Sequence, residues 1–219
     1  LKSLGCNAIR LSHNPQAPCL YDLCDELGLL VMDEAFDEWE YPKKKWIAGW
    51  NKGTPGFQGS SSYFREWSKR DVADMVCRDR NHPSVMMWSI GNEVDYPNDP
   101  YSHPVLDKKE GTTQQYVRGY LKGQPRAERL GDIAKELAPV VRKYDSSRPV
   151  TAALAGAVMS NETDYPGALD VVGYNYTEYR YKQDHTAYPK RVFYGSETGH
   201  GLDAWKAVRD NDYVFGQFL

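Results

Sequence analysis

The chain has 219 residues, 41% of them hydrophobic and 26% charged, which suits one large α/β domain or two small ones. A net charge of −3 argues against nucleic acid or an anionic membrane as a partner. No apolar run approaches the roughly 20 residues needed to cross a bilayer. Aromatic content is 13%, with 16 Tyr and 6 Trp, a level that both large cores and sugar-binding clefts reach.

Taken in order, the chain opens at residues 1–5 on what reads as the last turn of a helix, with Gly5 just past its cap. A short strand is predicted over 8–11, followed by Ser12-His13-Asn14-Pro15. An amphipathic helix over 18–27 starts on Pro18, ends at Gly28 and has Leu20, Leu23, Cys24 and Leu27 on one face. A buried strand over 29–32 runs into the acidic stretch Asp33 to Glu40. Residues 41–62 read as a long loop over a site, with Lys43-Lys44-Lys45 as a solvated surface. Helical spacing returns over 64–78. The next stretch, HPSVMMWSIGNE (82–93), is the most informative of the chain. Its run 85–90 is apolar on both faces, as in a covered parallel sheet, and then gives way abruptly to Gly91-Asn92-Glu93.

A second polar loop covers 95–125, and a helix carrying Leu130, Ile133, Leu137 and Val141 inward runs to about 144, with Pro139 expected to kink it. Strands follow at 150–154, 171–174 and 192–195, then a helix at 203–209 and the start of another strand after 213. Cys6, Cys19, Cys24 and Cys77 have no metal or redox spacing and read as buried free thiols. No compartment is legible in the chain.

Strand and helix alternate throughout, the pattern of a parallel sheet covered by helices. Nearly every strand ends in polar or ionisable groups: Arg10 and His13, Asp33 and Glu34, Asn92 and Glu93, Asn175 and Tyr176, Glu197 and His200. An open sheet gathers its chemistry at one switch point, whereas a closed ring brings many strand ends together. The expected fold is therefore an α/β chain forming part of a (β/α)8 TIM barrel, its strands two to seven and the beginning of the eighth. Two glutamates, Glu93 and Glu197, close the fourth and seventh strands of that barrel, nearly opposite one another. Glycoside hydrolysis needs two such carboxyl groups about one bond. Paired carboxylates on barrels also bind metals, so a metal-dependent hydrolase stays open, as does a carbohydrate-binding relic without turnover.

NAIRLSHNP (7–15), LVMDEAFDEW (30–39), RDRNHPSVMMWSIGNE (78–93), SSRPVTAAL (146–154) and YGSETGHG (194–201) resemble glycoside hydrolase family 2, the β-galactosidase and β-glucuronidase family. The resemblance implies a retaining exo-β-glycosidase working through a covalent glycosyl-enzyme on a small carbohydrate substrate, nearest to the β-galactosidases. β-Glucuronidase and β-mannosidase are alternatives within the family. Glu93 would be the acid/base and Glu197 the nucleophile. Asn92 would hold the sugar 2-hydroxyl and Tyr176 the nucleophile. Arg10, His13 and His200 would line the sugar subsite, with Trp39 a stacking platform or a loop anchor. Asp33 and Glu34 are expected beneath the site, paired with Arg10. Some galactosidases of the family hold magnesium through Glu-x-His after this strand. Here Glu38-Trp39-Glu40 stands instead, so no cofactor is required and a Mg site at Glu38 and Glu40 is the departure to test. The resemblance further implies flanking β-sandwich domains outside this chain and a full-length parent that is an oligomer of identical subunits.

Overall fold

The computed structural model describes residues 1–48, 59–108 and 118–219. Seven strands form one sheet: β1 (Ala8–Arg10), β2 (Leu30–Glu34), β3 (Val85–Asn92), β4 (Val150–Leu154), β5 (Val171–Asn175), β6 (Val192–Glu197) and β7 (Val214–Gln217). They lie in sequence order and every neighbouring pair is parallel. The helices are α1 (Pro18–Leu27), α2 (Lys44–Ile47), α3 (Phe64–Asp79), α4 (Glu128–Tyr144), α5 (Ala157–Ser160), α6 (Tyr181–Ala187) and α7 (Leu202–Arg209). Among the described residues no helix is long and apolar enough to cross a membrane.

The sheet curls. Tyr194 of β6 donates its hydroxyl proton to the Met32 sulfur on β2, 2.8 Å away, and Arg10 of β1 reaches Glu197 of β6 at 2.7 Å. Contacts between strands that are not neighbours in the sheet require a curled, concave face. Met32, Met87, Val171 and Tyr194 pack together there. The convex face carries the larger core, in which Val31, Trp88, Ile90, Val172 and Phe193 meet the helices. Successive side chains of a strand point to opposite faces, so a strand covered on both must be apolar throughout. That explains the unbroken run in β3.

α1 starts on Pro18 and stops where Gly28 takes φ 63°. Its inward residues are Tyr21 and Cys24, while Leu23 and Leu27 are exposed, so the expected leucine face is rotated by somewhat less than about a quarter of a turn. Of the four cysteines, all free, only Cys24 is buried. α4 buries Leu130, Ile133, Leu137 and Val141 as expected, and Pro139 lies on its exposed face. There the carbonyl that a proline leaves unbonded is open to water. α6 has no sequence signal because Tyr-Lys-Gln-Asp-His-Thr-Ala lacks an apolar period, and it turns only Tyr181 and Asp184 inward. Of the loops expected at 41–62 and 95–125, residues 49–58 and 109–117 lie outside the described residues.

Candidate active site

The C-terminal ends of β1, β2, β3 and β6 converge on one guanidinium, and β5 joins the cluster through Asn175 and Tyr176. Arg10 Nη1 donates to Glu197 Oε1 at 2.7 Å and to the Ser196 carbonyl at 3.0 Å. Its Nη2 donates to Glu34 Oε2 at 2.8 Å and to Asn92 Oδ1 at 2.7 Å. Burial works against the charge of Arg10, but Glu34 and Glu197 more than offset it and hold the guanidinium above its ordinary range. Glu34 answers in kind. Burial alone would raise its carboxyl, yet Arg10, with His13 and the Ser89 hydroxyl at 2.6 Å, keeps it below the usual carboxylate value. His13 Nδ1 lies 2.7 Å from Glu34 and its Nε2 lies 3.6 Å from Glu197.

Glu197 ends β6 and is half-buried. Besides Arg10 it receives a hydrogen bond from the Tyr176 hydroxyl, whose pKa is pushed up to about 12 by burial and by the Glu197 charge. Glu93 follows β3, is almost fully buried and accepts from Asn175 Nδ2 at 3.2 Å on Oε1. Its other oxygen lies 3.6 Å from Lys45 Nζ. The two carboxyl groups thus have different company: a buried arginine and a phenol for Glu197, an amide and an ammonium for Glu93. Glu93 and Tyr176 also share a backbone feature, with φ 48° and 52°. Non-glycine residues avoid that left-handed region unless their surroundings impose it. Here Glu93 N is tied to the Ala153 carbonyl at 2.7 Å and Tyr176 N to the Glu197 carbonyl at 2.8 Å.

Asn92 is fully buried, accepting from Arg10 and Asn175 and donating from Nδ2 to Asp37 Oδ1 at 2.8 Å. Asp37 in turn accepts from Lys43 Nζ at 2.6 Å. Burial would raise the Asp37 carboxyl, but Lys43 and Lys45 hold it well below its ordinary range. Lys43, Lys45 and Asp37 are site neighbours that sequence reasoning missed. Asn175 was legible as a polar strand end. The lysines were not, because a run of three reads as surface, whereas Lys43 is buried against Asp37.

Three expectations need correction. Asp33 does not pair with Arg10. The alternation of β2 turns Glu34 inward and Asp33 outward, where it accepts from Tyr21 at 2.9 Å. Trp39 is no stacking platform: it is 1% exposed, donates from Nε1 to the Ile90 carbonyl at 2.8 Å and packs over Gly91, so it anchors the loop. Glu38 and Glu40 do not suit a shared Mg ion. Glu40 is engaged by Arg129 at 2.5 Å and Arg65 at 3.2 Å, while Glu38 is directed at the backbone N–H groups of Lys43 and Ser61. A hard cation wants several converging oxygens, and two guanidinium groups already compensate one of these carboxylates. Among the described residues no group of three acidic, His or Cys side chains is placed to hold a metal. His200 lies exposed in the turn between β6 and α7.

The chain matches the family model for glycosyl hydrolases family 2, TIM barrel domain, over residues 1–190; Glu197 lies beyond that stretch and enters the site on geometry. It is 38% identical over 208 residues to "Beta-galactosidase BoGH2A" of Bacteroides ovatus, covering 92% of this chain and 23% of that protein. It is 50% identical over 94 residues to a "Putative beta-glucuronidase" of Formosa agariphila, covering 43% of this chain and 8% of that one. Among solved structures, a glycosyl hydrolase family 2 member from Bacteroides cellulosilyticus DSM 14838 superposes with a TM-score of 0.74 at 38% identity, covering 99% of this chain and 24% of the other. The chain therefore spans about a quarter of the length of such relatives. With a matching family model over most of its residues and a parallel sheet curled about Arg10, it belongs to glycosyl hydrolase family 2 and carries part of that family's TIM barrel.

Proposed function

We propose that the protein containing this chain is a retaining exo-β-glycosidase, with β-D-galactosides as its first candidate substrates. The observation that carries this reading is the contrast between Glu197 and Glu93 at the same mouth. Glu197 is held by Arg10 and Tyr176 with one face open, as suits a carboxylate that must stay ionised and attack. Glu93 sits nearly buried on the end of another strand, as suits a group that carries a proton to the leaving oxygen.

In the first step Glu197 attacks the anomeric carbon and Glu93 gives its proton to the glycosidic oxygen, releasing the aglycone and leaving a glycosyl ester on Glu197. In the second step water attacks the same carbon, Glu93 takes the water proton, and Glu197 departs as a carboxylate. Asn92, the residue that the family resemblance assigns to the sugar 2-hydroxyl, is buried and held by Arg10, Asn175 and Asp37. Arg10 supports the Glu197 charge, and His13 stands at the edge of the subsite. β-Glucuronidase is the second reading, supported by the relative of that name at 50% identity. No step is routed through a metal, because Glu38 and Glu40 have other partners.

The test uses the full-length protein and nitrophenyl β-galactoside, β-glucuronide and β-mannoside. Glu197→Gln is expected to abolish turnover of all three. Glu93→Ala should keep the first step for activated leaving groups, and added azide should restore turnover as a β-glycosyl azide. A β-glycosyl azide formed instead by the Glu197 variant would reverse the two assignments.

A further inference from the structure

Lys45 is the least satisfied charge near the mouth. Its ammonium is mostly buried, with the side chain 11% exposed. Its nearest carboxylate is Glu93 at 3.6 Å, beyond hydrogen-bond reach, and its other contact is the Trp46 ring, 5.4 Å to the centroid. Among the described residues none of its three N–H groups has an acceptor. Its neighbour Lys43 differs, because Asp37 balances it at 2.6 Å. When Glu93 carries the proton that the first step needs, the carboxylates left in electrostatic reach of Lys45 among the described residues are Asp37 and Asp99, neither close enough for an ion pair and both already engaged, by Lys43 Nζ and by the Lys44 backbone.

Beside it stands Trp46, whose indole N–H donates to Asp37 Oδ2 at 2.8 Å and which as a residue is 37% exposed. Asp37 also holds Asn92, so this ring is fixed one residue from the site. A tethered indole with an open surface is a platform for the apolar face of a sugar, and the ammonium next to it offers donors to an anion.

The position selects the side of the scissile bond. Glu93 Oε1 faces Asn175, and with it the strands that carry Asn92 and Glu197, while Oε2 faces Lys45. Arg10, His13 and Tyr176 gather about Glu197 instead. Resting on the assignment of Glu93 as acid/base, we infer that Lys45 and Trp46 form a leaving-group subsite for an acidic sugar, one bearing a carboxylate or a sulfate ester. The substrate is then a β-glycoside whose neutral terminal sugar is joined to an anionic residue.

The experiment isolates that subsite. Full-length enzyme is trapped with a 2-deoxy-2-fluoro-glycosyl fluoride, which leaves a fluoroglycosyl ester on Glu197 and the leaving-group side empty. Reactivation is then followed with methyl glucoside, methyl glucuronide and glucose 6-sulfate as acceptors. In that step an acceptor hydroxyl attacks the anomeric carbon, Glu93 takes its proton, and the Glu197 carboxylate leaves. One charge-assisted hydrogen bond should favour a charged acceptor over the neutral one by about tenfold. Lys45→Met should erase that preference, Lys45→Arg should keep it, and Trp46→Ala should weaken all three acceptors together. Whichever charged acceptor is preferred identifies the anion as carboxylate or sulfate. Equal reactivation by neutral and charged acceptors, or a preference that survives Lys45→Met, would overturn the subsite. Failure to trap wild-type enzyme would overturn the glycosidase reading and the subsite with it.

Discussion

Asp33 and Glu34 are adjacent carboxylates on β2, both fully buried, and they have opposite electrical surroundings. Glu34 points into the curl of the sheet, where Arg10, His13 and Ser89 hold it below its ordinary pKa. Asp33 points to the helices, against Tyr21 and Asp79. Burial, followed by the hydrogen bond and charge of Asp79, pushes its pKa up to about 8. Among the described residues no N–H or O–H donor reaches Asp33 Oδ2, so that oxygen is satisfied only by carrying a proton toward Asp79. Equal burial therefore does not decide whether a carboxyl group is charged. What decides is whether a cation reaches the carboxylate directly: Arg10 bonds Glu34, whereas on the Asp33 side Arg78 is bonded to Asp79 and Tyr21 instead.

The largest break in this symmetry should come from Glu34→Gln, which leaves the buried Arg10 without its main counterion. Removing one partner of a buried pair costs about 3–5 kcal/mol, so a chemical denaturation midpoint should fall sharply and turnover should fall with it. On the convex side the expected effects are smaller. Tyr21→Phe removes the donor to Asp33 Oδ1 and the acceptor for Arg78 Nη2 and Gln16 N. An expected loss of about 1–3 kcal/mol follows from leaving such buried groups unpaired, and turnover, measured alongside, should be nearly unchanged.

The smallest effect at acidic pH, and the sharpest diagnostic, is Asp33→Asn. Between the ordinary aspartate value of about 3.9 and about 8, the folded chain keeps a proton on Asp33 that the unfolded chain releases. Stability contributed by this group therefore falls as pH rises through that window. The substituted amide has no titrating proton, so the variant should lose this downward slope in thermal midpoint against pH. Glu34 and Asp37 work in the other direction: their lowered values stabilise above the ordinary carboxylate range, and that contribution is lost as pH falls. If Asp33→Asn left the slope in that window unchanged, the protonated assignment would fail.

Most of the fold was legible because parallel strands covered on both faces leave unbroken apolar runs. Six strands and the start of the seventh emerged from such runs and their bounding turns, and the long helices, observed at 18–27, 64–79 and 128–144, from helical spacing and their end residues. The site was legible where chemistry stood at a strand end, as with Arg10, Asn92, Glu93 and Glu197. It was illegible where a side chain's direction mattered more than its identity. Asp33 and Glu34 look alike in sequence, and only the pleat separates them. Trp39 carries the right ring for a sugar, but Gly91 leaves room for it to sink beneath the site and donate to Ile90. Lys43 and Lys45 looked like solvent charges because nothing local reveals that α2 folds back over Asp37 and Glu93.

The tie between Arg10 and Glu197 has a consequence for how the molecule assembles. Each strand pairs with its neighbour in sequence, so the sheet can grow by short closures, one strand at a time. The bond from Arg10 to Glu197 spans 187 residues and crosses from the first strand to the sixth. A chain that has laid down only β1 to β5 already sets Glu34 and Asn92 against the guanidinium, yet its charge is half answered. Local order comes early, whereas the full cluster at the mouth exists only after β6 docks. Sheet content and competence at the mouth are thus separate milestones along one folding path.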